Sequence, residues 1–159
     1  MTTKDIAQDL RINAILGNDD SDFDKCVKLF FEHLTANLKL PCEVTGIVPL
    51  GWEEPYILGV RDGMEYEMLK KTQPSHDDRF ELRKLECGVG SEWMLHPVED
   101  IGACCRRISD GREFILGAVE LRVTDKASPN YQLLEDYACW FVNHKWHWPM
   151  TTWTGRPAR

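Results

Sequence analysis

The amino-acid sequence predicts an α+β fold in which a small antiparallel sheet or partly open barrel is flanked by an N-terminal and a C-terminal helix. Two helices are indicated by apolar stripes, one over 22–38 and one that begins near Ser128. Between them lie short β-prone runs joined by tight turns, of which Asp110-Gly111 is the strongest hairpin signal. Short connections favour neighbouring antiparallel strands, and helices packed on one side of the sheet complete the fold.

The length of the chain predicts a single domain over 1–159. A chain of 159 residues buries roughly two-thirds of the surface that it exposes when unfolded. The sequence contains no internal repeat and no linker that would divide it. We therefore expect a core over about 21–144, an N-terminal extension over 1–20 and a Trp-rich C-terminal tail over 145–159.

The first part of the chain is predicted to be helical. The pattern over 1–17 is thin, but 22–38 carries one apolar stripe whose members recur at helical spacing. Ser21 or Asp20 is suited to cap this second helix, since its side-chain oxygen can accept a backbone N–H at the helix N-terminus. The stripe consists of Phe23, Val27, Phe30, Phe31, Leu34 and Leu38.

The middle of the chain is predicted to form strands and turns. Strands are expected over 42–48, 56–60 and 80–87, because these runs are rich in β-prone residues. Turns are expected over 51–55 and at Asp62-Gly63, and a helical turn over 65–71.

The strongest local signals lie in the last third of the chain. A hairpin is expected to join strands over 104–108 and 112–116, because glycine adopts positive φ in the Asp110-Gly111 turn without steric cost. A further strand is expected over 119–123. Ser128 as N-cap and Pro129 in the first turn then predict the C-terminal helix.

The charge of the chain excludes two classes of partner. The formal net charge is −7 and the pI is about 5.2, whereas nucleic acid and anionic membrane surfaces attract basic proteins. Residues 51–100 hold 12 acidic and 6 basic side chains, a difference of −6. Such a local excess of carboxylates fits a cation or a basic protein partner, and also fits a solvated, solubilising surface.

The cysteines and the apolar runs predict a cytoplasmic protein. Positions 26, 42, 87, 104, 105 and 139 are cysteine, without the paired spacing of a zinc site. We expect no signal peptide and no membrane span, because the first twenty residues are polar and no run approaches about eighteen apolar residues. Reduced, mostly buried thiols are typical of the cytoplasm.

The sequence does not predict an enzyme or an EF-hand. It contains no Gly-x-Ser-x-Gly motif, phosphate loop or dinucleotide fingerprint. Asp20, Asp22 and Asp24 alternate as in a calcium loop. However, Lys25 stands where that loop needs glycine, and Phe31 stands where it needs glutamate. These aspartates fit helix capping better.

Two pairs of adjacent carboxylates are the candidate metal ligands. They are Glu53-Glu54 and Asp77-Asp78, and Asp62 and Glu65 are the next candidates. Calcium binds six to eight oxygens from carboxylates, carbonyls and water. Loops that each carry neighbouring carboxylates supply such a set if the fold brings them together, but a charge run is more often a solvated face.

The tryptophans offer an alternative function. Four of them cluster toward the C-terminal end of the chain, and protein interfaces are enriched in this residue. They predict a metal-independent protein-interaction module unless they cover the core and the edge of the sheet, as large aromatics usually do. These residues are Trp140, Trp146, Trp148 and Trp153.

Several segments together resemble one family of calcium-binding proteins, related to the cyanobacterial protein CcbP. An amphipathic first helix is followed by LPCEV at 40–44, by REFILG at 112–117, and by NYQLLEDY and WFVN at 130–137 and 140–143. The resemblance spans most of the chain from Phe23 to Asn143. This chain differs from the shorter cyanobacterial members in a longer segment over 52–82 and in extended ends.

This resemblance implies a compact α+β domain that binds Ca²⁺ without an EF-hand, in a buffering or signalling role. No ligand motif of the family falls on this chain, so the ligands expected above depend on the residues alone. The function that we expect is calcium binding through surface carboxylates. The alternative is a metal-independent interaction module that uses the tail. The oligomeric state is not predicted.

Overall fold

The computed structural model describes residues 3–17, 22–89 and 100–144. These residues form an α+β fold, as predicted. Its helices are α1 (Thr3–Leu16), α2 (Phe23–Asn37), α3 (Glu54–Ile57), α4 (Gly63–Leu69) and α5 (Pro129–His144). Its strands are β1 (Cys42–Gly46), β2 (Arg79–Val89), β3 (Asp100–Arg107), β4 (Glu113–Gly117) and β5 (Leu121–Val123), and short 3-10 turns cover Gly51–Glu53 and Ala118–Glu120.

The five strands form one curled antiparallel sheet in the order β4-β3-β2-β1-β5. In a flat sheet β4 and β5 would lie about 19 Å apart, at roughly 4.8 Å for each neighbouring pair of strands. Only residues 118–120 connect Gly117 to Leu121, and four Cα steps span at most about 15 Å. The sheet must therefore curl to bring its two edge strands toward each other. It does not close, because the described strands include no pairing of β4 with β5.

The core lies between the concave side of the sheet and helices α1, α2 and α5. Phe30 of α2 packs on Tyr137 and Trp140 of α5, with both ring-centroid distances at 5.3 Å. All three side chains are at most 1% exposed, so Trp140 is a core residue. Helix α1, which lies within the predicted N-terminal extension, contributes Ile12 and Leu16 to this core.

The turn predicted between β3 and β4 and the cap predicted for the C-terminal helix are both present. The hairpin of β3 and β4 turns at Gly111, whose φ is +76°, and Ser128 Oγ accepts the backbone N–H of Asn130 at 3.1 Å at the start of α5. The N-cap of α2 is Asp22, which accepts the N–H of Lys25 at 3.1 Å. The candidate caps Asp20 and Ser21 lie outside the described residues.

The strand predicted over 56–60 is wrong, because this segment contains α3 and the turn that follows it. Pro55 lies in the first turn of α3, where its missing N–H has no cost. Tyr56 then stacks on Tyr66 of α4, with ring centroids 5.4 Å apart and an interplanar angle of 12°. This packing, together with Gly59 at φ +79°, overrides the β-propensity of the run.

Two neighbouring predictions need smaller corrections. Asp62-Gly63 is the start of α4 rather than a free turn, since Asp62 Oδ1 accepts the N–H of Met64 at 2.9 Å. The strand expected over 119–123 retains only Leu121–Val123, because the 3-10 turn Ala118–Glu120 precedes it.

Within the described ranges, no helix combines the length and the apolar composition that a membrane crossing requires. The predicted tail, with Trp146, Trp148 and Trp153, lies outside the described residues.

Candidate functional site

Glu53 is the centre of the predicted carboxylate cluster, and it is fully buried. Its Oε1 accepts the N–H groups of Leu50 and His76, both at 2.9 Å. Its Oε2 lies 2.7 Å from the hydroxyl of Tyr66 and 2.6 Å from that of Ser75. Burial raises the pKa of Glu53, but these hydrogen bonds outweigh burial and hold the pKa below its ordinary value. The carboxylate is thus an internal, fully engaged acceptor.

Asp77 and Asp78 join Glu53 through Ser75. The Ser75 hydroxyl lies 2.7 Å from Asp77 Oδ1, and its backbone N–H donates to Asp78 Oδ2 at 2.9 Å. Asp77 also pairs with Lys70 at 3.3 Å, and Asp78 with the buried Arg107 at 2.8 Å. The fold therefore brings three of the predicted ligands together, with protein donors already bound to each.

Arg107, at the end of β3, fastens the loop between α4 and β2. Its guanidinium, with a side chain 3% exposed, donates to the carbonyls of Lys70, Lys71 and Gln73 at 2.8–3.1 Å. It also binds Asp110 in the β3–β4 turn through two hydrogen bonds at 2.8 and 3.0 Å. Four of its five acceptor groups, counting Asp78, belong to the loop, so one cation fixes the loop against the sheet.

The same loop docks closely onto β1. Gly46 donates its N–H to the carbonyl of His76 at 2.9 Å, and a Cβ at Gly46 would lie 2.6 Å from the His76 Cα. Only glycine permits this backbone approach.

The remaining three predicted ligands are exposed and lie on or next to helices α3 and α4. Glu54 is exposed, Asp62 caps α4, and Glu65 accepts the hydroxyl of Tyr56 at 2.5 Å. Among the described residues, no group of three or more His, Cys, Asp or Glu side chains is arranged to hold a metal ion. The geometry assigns Asp62 to capping and Glu65 to the contact between α3 and α4.

The engaged carboxylates and three aromatic rings hold α3 and α4 as a helical hairpin on the domain. Trp52 packs on Tyr66 with centroids 5.6 Å apart and donates its indole N–H to the carbonyl of Pro74 at 2.6 Å. Tyr56 stacks on Tyr66, and the Tyr66 hydroxyl binds the buried Glu53. The hairpin is therefore anchored on its inner side by named contacts.

The hairpin exposes large apolar side chains to solvent. Five described large apolar side chains are more than 65% exposed, and four of them lie here, the fifth being Leu10 of α1 at 66%. Met64 and Met68 are one helical turn apart on α4, which places them on one stripe. A concentration of exposed apolar side chains on one element marks an interaction surface. The hairpin members are Leu58 (73%), Val60 (76%), Met64 (78%) and Met68 (68%), with Ile57 at 48%.

The apolar side chains of the hairpin stand among acidic ones. The segment from Glu54 to Leu69 holds four acidic residues and one basic residue, a net side-chain charge of −3. All five charged side chains are exposed in the structure. They are Glu54, Arg61, Asp62, Glu65 and Glu67. We call this combination of exposed apolar residues 57–68 and their acidic neighbours the hairpin surface.

A second concave region runs along α5. It is a groove of about 1370 Å³ between α1, α5 and the β5 side of the sheet. Four of its charged side chains form two ion pairs, Arg11 with Asp136 and Arg122 with Glu135, both at 2.9 Å. These pairs join α5 to α1 and to β5, and their charges are therefore already matched within the fold. The hairpin surface is the stronger candidate for binding a partner.

Sequence reasoning identified the carboxylates but missed the residues that engage them. Ser75 and His76 meet Glu53, and Arg107 meets Asp78, only in the folded chain, so these contacts carry no local sequence signal. The exposure of Met64 and Met68 was also missed, because their spacing of four places them on one side of α4 but does not say whether that side faces solvent.

No protein-family model matches the chain, and the searches of curated proteins and of solved structures give no match. The resemblance to the CcbP-related family therefore stays a prediction.

Proposed function

We propose that this protein is a non-catalytic, metal-independent interaction module that binds a basic, apolar segment of a partner protein through the hairpin surface. The observation that carries the proposal is the exposure of Leu58, Val60, Met64 and Met68 on one anchored hairpin. Methionine is common on binding surfaces that accept varied apolar partners, because its unbranched side chain adapts its shape.

The charge of the hairpin surface selects the partner. Carboxylates around an apolar patch attract basic segments and repel acidic ones, which gives specificity and speeds encounter. A short helix that exposes a Met stripe favours a partner helix with apolar residues at helical spacing and basic residues between them, as in helix-in-groove recognition.

The size of the surface predicts modest affinity. Fully burying one such side chain contributes roughly 1.5–3 kcal/mol, and four of them supply a gross gain of about 6–12 kcal/mol. Association opposes this gain with at least about 4 kcal/mol. The remainder corresponds to a dissociation constant in the micromolar range or weaker, which is typical of reversible recognition.

The test uses two synthetic probes with the same apolar pattern. One is a fluorescent 18-residue peptide of leucine and lysine in amphipathic order, and the other replaces lysine by glutamate. We expect the full chain to bind the Leu/Lys probe and not the Leu/Glu probe. Met64→Gln/Met68→Gln should weaken binding at least tenfold, because it removes apolar area without changing charge.

The matched control is Ile108→Gln, which removes an exposed apolar side chain in the β3–β4 turn. It should leave the affinity for the Leu/Lys probe unchanged. Equal binding of both probes, or equal weakening by Ile108→Gln and by the methionine variant, would contradict the proposal. Binding to neutral phosphatidylcholine vesicles in place of the peptide would contradict it too.

Calcium binding through Glu53, Glu54, Asp77 and Asp78 stays a prediction supported by the family resemblance and by the convergence of three of these residues on Ser75. Their engagement with protein donors favours the interaction module instead. A cytoplasmic location also belongs to the proposal, supported by the free thiols of Cys42, Cys87, Cys104 and Cys105.

A further inference from the structure

We infer that the hairpin surface is occupied by this chain's own C-terminal segment, residues 145–159, which a partner must displace. The inference rests on the proposed function, because it names an internal ligand for the same surface. It assigns the segment a regulatory role: it competes with external partners for the hairpin.

The composition of the segment matches the surface that it would cover. It holds three basic residues, Lys145, Arg156 and Arg159, and no acidic residue. Its side-chain charge of +3 complements the −3 of the segment from Glu54 to Leu69. Its apolar residues are Trp146, Trp148, Met150 and Trp153, and tryptophan is strongly enriched among residues that anchor interfaces.

The segment is long enough to run over most of the surface of the domain. It begins directly after His144, the last residue of α5. Fifteen residues span up to about 50 Å when extended. A compact body of the preceding 144 residues has a diameter on the order of 40 Å, from a radius of gyration of about 15 Å. An intramolecular contact with α3–α4 is therefore within reach.

Because the segment belongs to the same chain as the hairpin, even weak binding between them competes with an external peptide. Attachment through a short linker gives a segment an effective concentration on the order of millimolar. If the segment binds the hairpin with a dissociation constant near a tenth of that value, an external peptide sees its affinity lowered by about tenfold, because the competent state is only partly populated.

The experiment measures the affinity of the full chain for the Leu/Lys probe before and after the segment loses its anchors. Trp146→Ala/Trp148→Ala/Trp153→Ala should tighten binding of the probe by about three- to tenfold. The matched control Thr151→Ala/Thr152→Ala/Thr154→Ala changes three polar positions in the same segment and should leave the dissociation constant unchanged.

A second measurement does not depend on the tryptophan variant. A benzophenone amino acid at position 150 should form a photo-crosslink to residues 57–68 in the monomer fraction of the full chain. A crosslink found only in a dimer fraction would place the segment on a second copy and overturn the intramolecular inference. Crosslinks along α5 would overturn it as well.

The two proposals fail in different ways. If the probe binds wild type and the tryptophan variant equally, the segment is not an internal ligand and the proposed function survives. If the probe binds neither of these proteins, the hairpin does not recognise basic, apolar segments, and both proposals are overturned.

Discussion

The hydroxyl of Tyr137 on α5 donates a hydrogen bond to the carboxyl group of Asp100, the first residue of β3. Both side chains are fully buried. The carboxyl group also accepts the backbone N–H of Ile101 at 2.6 Å and that of Val119 at 2.9 Å. Val119 belongs to the 3-10 turn between β4 and β5, so one acidic side chain links α5, β3 and the connection that curls the sheet.

This buried carboxyl group predicts an unusual dependence of stability on pH. Burial raises the pKa of Asp100 from 3.8 to about 6, against the opposing effect of its hydrogen bonds. Between these two values the folded protein keeps a proton that the unfolded chain has lost. The free energy of unfolding therefore decreases as pH rises through this window, by about 3 kcal/mol from this group.

Urea unfolding of wild type and Asp100→Asn at intervals between pH 4 and 7 measures the effect. The difference between the two free energies isolates Asp100 from groups with the opposite behaviour, such as Asp110, whose pKa Arg107 and the N–H of Arg112 lower to about 2. The account predicts a difference that changes across this range. A constant difference from pH 4 to 7 would show that Asp100 titrates normally.

Tyr137→Phe tests the partner of Asp100. Removing the hydroxyl leaves a buried acceptor with one fewer donor, which costs about 1–3 kcal/mol in the free energy of unfolding. It also removes a hydrogen bond that lowers the pKa of Asp100, so the pH window should move upward. Tyr131→Phe, at a half-buried position on the same helix, is the control, and equal stability of the two variants would refute the role assigned to Tyr137.

Arg107→Met tests the contact that fastens the hairpin loop. The substitution leaves Asp78, Asp110 and three carbonyls without their shared donor, and we expect a loss of about 3–5 kcal/mol by denaturant unfolding. Arg106→Met, at an exposed neighbouring position, should cost less than about 1 kcal/mol. A similar small cost for Arg107→Met would mean that the loop holds its position without the guanidinium.

Calcium titration by calorimetry on chelator-stripped protein, with magnesium as control, separates the two functions considered for the chain. We expect no saturable heat at micromolar calcium, because Glu53, Asp77 and Asp78 already accept hydrogen bonds from protein donors. Saturable heat that disappears in a folded Glu53→Gln/Glu54→Gln/Asp77→Asn/Asp78→Asn variant would establish the calcium function instead.

The parts of the fold that the sequence predicts are those with local causes. The cap at Ser128 and the turn at Gly111 each depend on residues within a few positions, and both are present in the structure. The strand expected over 56–60 failed because its conformation depends on the contact of Tyr56 with Tyr66, ten residues away. Propensity alone does not reveal such tertiary packing.

The candidate site shows the same division. Adjacent carboxylates mark Glu53, Asp77 and Asp78 as candidate ligands, and the fold places all three within hydrogen-bond distance of Ser75. Metal binding by these residues stays a prediction. Ser75 contacts Asp77 and Asp78 locally, but its contact with Glu53 and that of Arg107 with Asp78 join residues 22 and 29 positions apart, which no spacing in the sequence encodes. The exposure of Met64 on the hairpin likewise depends on which side of α4 meets the domain, and short helices carry too few residues to determine it from periodicity.

The most direct test of the account is to map where the Leu/Lys probe binds. Two-dimensional NMR of the isotopically labelled full chain, titrated with the unlabelled probe, reports the amide of each affected residue. The account predicts that saturable shifts concentrate in residues 54–69 and disappear in Met64→Gln/Met68→Gln. Shifts concentrated along α5, or no shifts at millimolar probe, would contradict the assignment of the hairpin surface as the binding site.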